Sequence, residues 1–557
     1  LFSSCSRLAQ YRIHETIAYI GYGILDTLTE EDTMGNARDL RRRLARDEAA
    51  IGRRLAGAVA PNFAGPVLGR ANISYEYAER SKGVTHGGMG MIARLVDEVG
   101  LAGEIDDSLA LLKMHRPYTE SDHVLNIAYN ALCGGRRLDD IDARRTDPVF
   151  LDGLGVAALP DPTTAGDFCR RFDEDAIVSL QEAVNRSRLA VWARQPASFF
   201  AETARIDADA TIIGTDAETK EGMDIAYNGT WGYSALMVSL ANTPEPLFIM
   251  NRSGNRPSHE GAADYLDSAG RLCEEAGFRR ILFRGDTDFS QTGHLDGWDK
   301  AGYRFIFGID AMSNLVTQAE DLPGNAWKRL DRPKKHTVKT TPRTRPVNEK
   351  ERVVVRREFK NIRLNSEDVA EFDYMPTLCK KPYRIVVVRK NLTVARGEQA
   401  LFDDVRYFFY ITNDRDMPAS EVVFSANDRC DQENLIEQLK NGVRALHAPV
   451  DNLLSNWAYM VMASLAQTLK AWFALSLPET GRWKTKHRDE KRIVLRMQFK
   501  TFSNAFMRVP CQIVRTGRRI VYRLLAWNRW QHVFLRGVDA LRRPMVGTPT
   551  PHRPLRC

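Results

Sequence analysis

Three acidic and two basic residues stand where phosphoryl-transfer chemistry could use them. In the alternating run 205–213, Arg205, Asp207, Asp209 and Thr211 share one face, and Ile206, Ala208, Ala210 and Ile212 share the other. Asp286 follows the short apolar run 280–284 and Gly285, at the carboxyl end of a strand, where an α/β sheet opens its ligand crevice. Glu433 lies on a helical stretch that Asn427 and Asp428 are suited to cap. At about 100° per residue, Glu433 falls about 40° and Lys440 about 20° from Arg429, beside an apolar stripe of Leu435, Ile436, Leu439 and Val443. Three carboxylates from separate elements could clamp two Mg²⁺ ions about 3.5–4 Å apart, the arrangement that stabilises both oxygens of an in-line phosphoryl displacement. Arg429 and Lys440 would then bind neighbouring phosphates. Each residue also has a plainer role open to it. Asp207 rivals Asp209 on the same face, Asp286 could cap its own turn, and Glu433 could be a solvated residue beside Glu437 and Lys440.

The elements that must position these groups follow from periodicity. Segments 90–99, 120–132, 163–172 and 175–192 carry apolar residues at three-four spacing and predict helices. The pattern changes near 203. Runs 205–213, 232–241 and 247–251 read as strands, 257–277 as a helix closed by Gly277, 280–284 as a strand, 294–302 as a helix and 303–309 as a fifth strand. Three antiparallel strands followed by helix, strand, helix and strand is the order of an RNase H-like α/β core. Further strand-like runs at 351–359, 383–389 and 405–411 imply a β-rich insertion, because more than a hundred residues do not form a structureless loop in a compact domain. Helical pattern resumes at 427 and runs nearly to 543, placing Arg515, Arg519 and Arg523 at i,i+4 spacing.

Charge points to a polyanionic partner. The chain of 557 residues carries a net +8, but 481–557 alone holds 19 Lys and Arg against three acids, and 328–360 holds 13 against four. Such blocks suit a protein that neutralises phosphates and releases their counterions. The eight cysteines form no CxxC pair, which argues against a zinc site or a disulfide framework. The most apolar stretch, 452–469, contains Asn, Ser, Gln and Thr and reads as a buried core helix rather than a membrane span. The expected compartment is the bacterial cytoplasm, with no membrane association. The glycine-rich run His86-Gly-Gly-Met-Gly90 lacks both the preceding strand and the following lysine of a phosphate loop.

On these residues the chain resembles the DDE transposases of bacterial insertion sequences. Arg429, Glu433 and Lys440 match the spacing of their Tyr-x2-Arg-x3-Glu-x6-Lys signature, with Ala426 where the pattern has Tyr and Phe424 close by. Asp209-Ala-Thr211 is similar to the Asp-x-Thr of the first catalytic strand, and Arg284-Gly-Asp286 to the end of the second-aspartate strand. The segment 251–260, Asn-Arg-Ser-Gly-Asn-Arg-Pro-Ser-His-Glu, resembles the insertion-sequence family 1380 branch.

The resemblance implies an RNase H-like core interrupted by a β-rich insertion before the catalytic glutamate, flanked by helical N- and C-terminal regions. It implies Asp209, Asp286 and Glu433 as catalytic metal ligands for Mg²⁺ or Mn²⁺, in two ions, with Arg429 and Lys440 on DNA phosphates. The partners implied are double-stranded DNA, as terminal inverted repeats and target, and further copies of the chain. The expected organisation is an N-terminal extension of unknown role at 1–66 and a helical domain at 67–200. The core follows at 201–325, then a basic linker and β-rich insertion at 326–415. The second part of the core, with the catalytic helix, spans 416–480, and a basic helical region and disordered tail span 481–557. A second reading is a repurposed, catalytically inactive DNA-binding protein.

Overall fold

A computed structural model describes residues 82–332 and 360–541, apart from 114–116, 397–398, 517–518 and 526–527, with isolated helical positions between 42 and 53 and between 352 and 357. The tail beyond 541, nearly all of the 1–66 extension and most of the basic linker lie outside the described residues. The chain divides into two compact units, one of Pro196–Glu437 and one that joins Leu1–Gln195 to Gln438–Cys557.

The unit Pro196–Glu437 is built on one mixed sheet. Its elements are β1 (Ala204–Gly214), β2 (Asp224–Ile225), β3 (Trp231–Leu240), β4 (Glu245–Ser253), α1 (Ala262–Ala276), β5 (Ile281–Gly285), α2 (Thr292–Lys300), β6 (Arg304–Ile309) and α3 (Ser313–Glu320). There follow β7 (Lys328–Arg329), β8 (Lys360–Tyr374), β9 (Tyr383–Arg396), β10 (Gln399–Thr412), α4 (Ala419–Asn427) and α5 (Cys430–Glu437). The sheet runs β2-β3-β1-β5-β6-β10-β9-β8-β7, with β4 also paired to β3. β1, β3 and β4 are antiparallel, while β5 lies parallel to β1 and β6 parallel to β5. This is the RNase H-like arrangement, with β1 between the antiparallel and parallel halves.

The β-rich stretch does not form a sheet of its own. Phe409 to Thr412 of β10 pair antiparallel with Ile309 to Ile306 of β6, so the three long strands continue the core sheet and cover what would be an open edge. Ile385 to Val388 on β9 are all buried, as expected for a strand covered on both faces. Within 351–359, expected as strand, the described residues Arg352, Val353 and Arg356 are helical, and β8 starts at Lys360. Val422 and Val423 of α4 pack with Leu282, Ile306, Val369, Val386 and Val388. The helix thereby roofs the face of β5 that carries Leu282 and Arg284.

In the other unit, helices Met89–Glu98, Leu101–Ser108, Glu120–Leu132, Pro162–Cys169 and Glu174–Trp192 accompany the long helix Leu453–Leu475. Side chains cap them as the sequence demands: Asp161 accepts from the Thr164 amide, Asp173 from Ala176 and Asn452 from Ser455. Every residue from Ser455 to Leu475 is buried, and no described helix is long and apolar enough to cross a membrane. Lys470 within it donates to the Leu495 carbonyl at 2.9 Å, and burial pushes its pKa down to about 7.

The C-terminal region departs from the expected helix. Cys511–Thr516 and Arg519–Leu524 form an antiparallel hairpin that pairs with Gly83–Val84. Cys511 and Ile513 are buried while Gln512 and Val514 are half-buried, a period-two pattern that β-branched residues favour. The i,i+4 arginines therefore share no helix face. Tyr522 donates to the Gly153 carbonyl at 2.7 Å, and the Trp530 ring lies against Phe506.

Candidate active site

Parallel register brings the two candidate aspartates together. Arg205, Ile206 and Asp207 of β1 stand opposite Leu282, Phe283 and Arg284 of β5. Two residues further on, past the carboxyl end of β5 and in the middle of β1, the same register sets Asp209 beside Asp286. The turn after β5 is tight. A Cβ on Gly285 would lie 2.6 Å from the Phe289 Cβ, and one on Gly308 would lie 2.9 Å from the Thr287 amide nitrogen. Only glycines leave room for Asp286 to cap that turn, which it does by accepting from the Asp288 amide at 3.1 Å.

Asp207 and Asp209 share a face but have different surroundings. Asp207 is fully buried, and its carboxylate receives Arg284 through Nε at 2.7 Å and Nη2 at 2.8 Å. Arg284 also donates from Nη1 to the Ser425 carbonyl at 2.8 Å, tying α4 to the sheet. Asp209 keeps 15% of its side chain exposed and accepts from the Ala210 amide at 2.8 Å. The buried fork thus engages Asp207, while Asp209 faces the crevice.

Arg429 follows the end of α4 and reaches both open aspartates. Its Nη1 lies 3.4 Å from Asp209 Oδ2, and its Nη2 lies 3.6 Å from Asp286 Oδ2. Nη1 is buried and has no hydrogen-bond partner among the described residues. Burial first, and then the charges of Asp286 and Glu433, push the Asp209 pKa up to about 6 against the pull of Arg429. Burial also raises the Asp286 pKa, helped by Asp288 and Asp310 and opposed by Arg429. Two partly buried carboxylates held up in this way, with one guanidinium across them, favour further cationic charge.

The third carboxylate shares the face but not the cluster. Asp207 pairs with Ser239 across β1 and β3, so both side chains point to one side. Ser239 donates to Gln432 Oε1, and Gln432 Nε2 donates to the Met237 carbonyl at 3.2 Å. These bonds lay α5 on the aspartate face, with Glu433 next to the buried anchor Gln432. Glu433 itself is exposed, and its side chain has no ion-pair partner among the described residues. Among the described residues no three His, Cys, Asp or Glu gather closely enough to hold one metal ion. The Glu433 carboxylate lies outside such a cluster, although its charge still reaches Asp209.

The uniform wheel that put Arg429, Glu433 and Lys440 on one stripe does not hold. Asp428 and Arg429 form a turn, α5 covers Cys430–Glu437, and Gln438–Gly442 is a π-helical turn with a wider residue spacing. Lys440 lies in that turn, within the second unit, and is half-buried.

Residues 81–546 match the family model for the transposase DDE domain, group 1. The chain belongs to this family. No curated protein matches the sequence of this DDE-domain chain. Seven chains of solved structures match it, among them a piggyBac transposase synaptic complex with hairpin DNA determined by cryo-electron microscopy. That structure is 9% identical over 85% of this chain and 88% of that chain, with a TM-score of 0.31.

Several groups of this DDE domain escaped the sequence reading. Asp310 ends β6 on the same edge as Asp286, and the signal that selected Asp286, an acid directly after an apolar strand, selects Asp310 as well. Gln432 was visible only as a polar residue beside an apolar stripe. Next to the turn after Asp286 lies a cavity of about 570 Å³, lined by Asp288, Gln291, His294, Asp310, Tyr374 and Leu378.

The raised pKa of Asp209 has a consequence for stability. A carboxyl whose pKa rises on folding favours the folded state below its unfolded value near 3.8, and that contribution is lost as pH rises through 6. Asp209→Asn should therefore stabilise the metal-free protein at pH 7 to 8 by on the order of 2–3 kcal/mol, with little effect at pH 4. Thermal denaturation at the two pH values reads this directly. Equal melting shifts at both would refute it.

Proposed function

We propose that this DDE transposase cuts and joins DNA at the ends of an insertion sequence, using divalent ions held by Asp209, Asp286 and Glu433. The observation that carries the reading is the Asp209–Asp286 pair, set side by side by the parallel register of β1 and β5 and spanned by one guanidinium. The donor set suits Mg²⁺ or Mn²⁺: hard carboxylate oxygens, partly open to solvent, with burial holding the Asp209 carboxyl above the usual carboxylate range. Bound there, such ions supply Lewis acidity toward the phosphate and toward the attacking oxygen.

The chain's own residues do the rest. Asp207 and Arg284 fix the strand ends and tether α4. Arg429, freed from the aspartates, turns its guanidinium to a DNA phosphate and offsets charge that develops at phosphorus. Lys440 contacts a neighbouring phosphate. The substrate is double-stranded DNA, as terminal inverted repeats and then target, bound by a homo-oligomer. Hydrolysis of one phosphodiester frees a 3′-OH, which then attacks a second phosphodiester.

A second reading has its own observation. With Glu433 exposed and in no metal-holding cluster among the described residues, with Arg429 spanning the aspartates and with Ala426 in place of the signature tyrosine, the same chain could bind DNA without cutting it. Incubation with Mg²⁺ and DNA carrying the element ends separates the two. The transposase reading expects nicks that vanish with chelator and in Glu433→Gln. Retention of DNA without any nicking supports the inert protein, and undiminished nicking by Glu433→Gln removes Glu433 from the site.

A further inference from the structure

A second cationic site lies in the unit that contains both chain ends. His86, Gly134, Arg136, Asp140, Arg144 and Arg508 line a cavity of about 560 Å³. Its three arginines have no ion-pair partner among the described residues. Arg136 and Arg508 are exposed, while Arg144 is half-buried and held by the carbonyls of Asp140 and Cys133, the latter at 3.3 Å. The Arg144 Nε is buried and makes no hydrogen bond.

Neighbouring groups offset only part of this positive charge. The one acid, Asp140, spends its Oδ2 on the backbone amides of Arg136 and Arg137, at 2.5 and 3.1 Å. His86 bonds the Cys133 carbonyl through Nε2 at 3.1 Å and Thr85 through Nδ1 at 3.0 Å. Burial lowers its pKa, and Arg144 and Arg508 lower it further, so the ring is neutral near pH 7. Gly134 adopts φ +84, and a Cβ there would collide with the Arg508 guanidinium. The glycine lets that guanidinium approach the turn closely. With one acid facing three arginines, the cavity keeps a net positive charge that favours a further anion.

We infer that Arg136, Arg144 and Arg508 form a pocket for one backbone phosphate of DNA, separate from the carboxylate site. Three guanidinium groups lining one cavity offer more fork donors than a carboxylate can take, and a tetrahedral phosphate can use them. The inference rests on the DNA-processing reading above. A free phosphate has the same chemistry, so the test must tell the two sources apart.

The test is duplex DNA binding by the full chain in EDTA, titrated against salt. Arg136→Gln/Arg508→Gln should lower affinity about tenfold at 0.15 M salt and reduce the slope of log K against log salt by about 1, the share of one phosphate contact. Arg144→Gln tests the same contact. Because Arg144 also holds backbone carbonyls, its melting temperature must be measured, and the double variant decides if it unfolds. Arg279→Gln/Lys300→Gln removes equal charge from exposed positions and should leave the slope unchanged. An unaltered slope in the pocket variant overturns the inference. So does a melting shift with inorganic phosphate that the variant loses while its DNA affinity stays intact. If the wild-type chain retains no DNA at all, the transposase reading itself falls.

Discussion

Asp209→Ala and Asp286→Ala should each reduce Mg²⁺-dependent nicking on the order of 10³-fold or more, while DNA retention stays within about threefold of wild type. Both carboxylates are set side by side by adjacent parallel strands, and each loss removes half of the pair. Retention should survive because phosphate contacts come from cationic groups elsewhere on the chain. It could even rise slightly, since removing either acid frees part of the Arg429 fork. The double variant should be no slower than the slower single one, because groups that act as a unit are not additive. Loss of binding in parallel with loss of nicking would instead mean that the aspartates support the fold.

The largest expected stability effect lies one step deeper on the same face. Asp207→Ala should destabilise the protein by about 3–5 kcal/mol, because it leaves the Arg284 guanidinium buried without a counter-charge. Arg284 is 2% exposed and Asp207 fully buried, so water cannot replace the lost partner. The Arg284 bond to the Ser425 carbonyl adds α4 to the damage, and with it the approach to Arg429. Replacing both members, as Asp207→Leu/Arg284→Met, should recover most of the loss, since a buried pair exchanged for apolar volume is often close to neutral. Urea unfolding of the single and double variants measures both. A single-variant loss under about 1 kcal/mol would show that the pair is solvated in solution.

The sequence displayed the strands that carry the aspartates because they alternate cleanly or end at glycine. Runs read at 205–213, 280–284 and 303–309 correspond to β1, β5 and β6 to within a residue or two. Helices were equally legible where caps such as Asp161, Asp173 and Asn452 mark their starts. Pairing was not. Nothing local in Phe409 to Thr412 says that its partner is β6, about a hundred residues earlier, so the insertion looked like a separate body. The arginines at 515, 519 and 523 satisfied a helical spacing by coincidence, while the alternation of Cys511 and Ile513 carried the stronger signal. At Lys440 the failure was geometric, since a wheel drawn at one angle cannot anticipate a π-helical turn.

The candidate site was legible as residue types and not as a state. Which of Asp207 and Asp209 meets the crevice depends on Arg284, whose side chain could not be assigned to either from spacing. The place of Arg429 between two acids could not be read at all, because a metal ligand set and a guanidinium bridge demand the same carboxylates. That ambiguity sets the decisive experiment. Mn²⁺ binding to the full chain with duplex DNA present, followed by electron paramagnetic resonance, reads the cation site without relying on turnover. Wild type should bind Mn²⁺, and Asp209→Asn, Asp286→Asn and Glu433→Gln should each weaken it about tenfold or more. An isotherm for Glu433→Gln that overlays the wild-type curve would contradict the account.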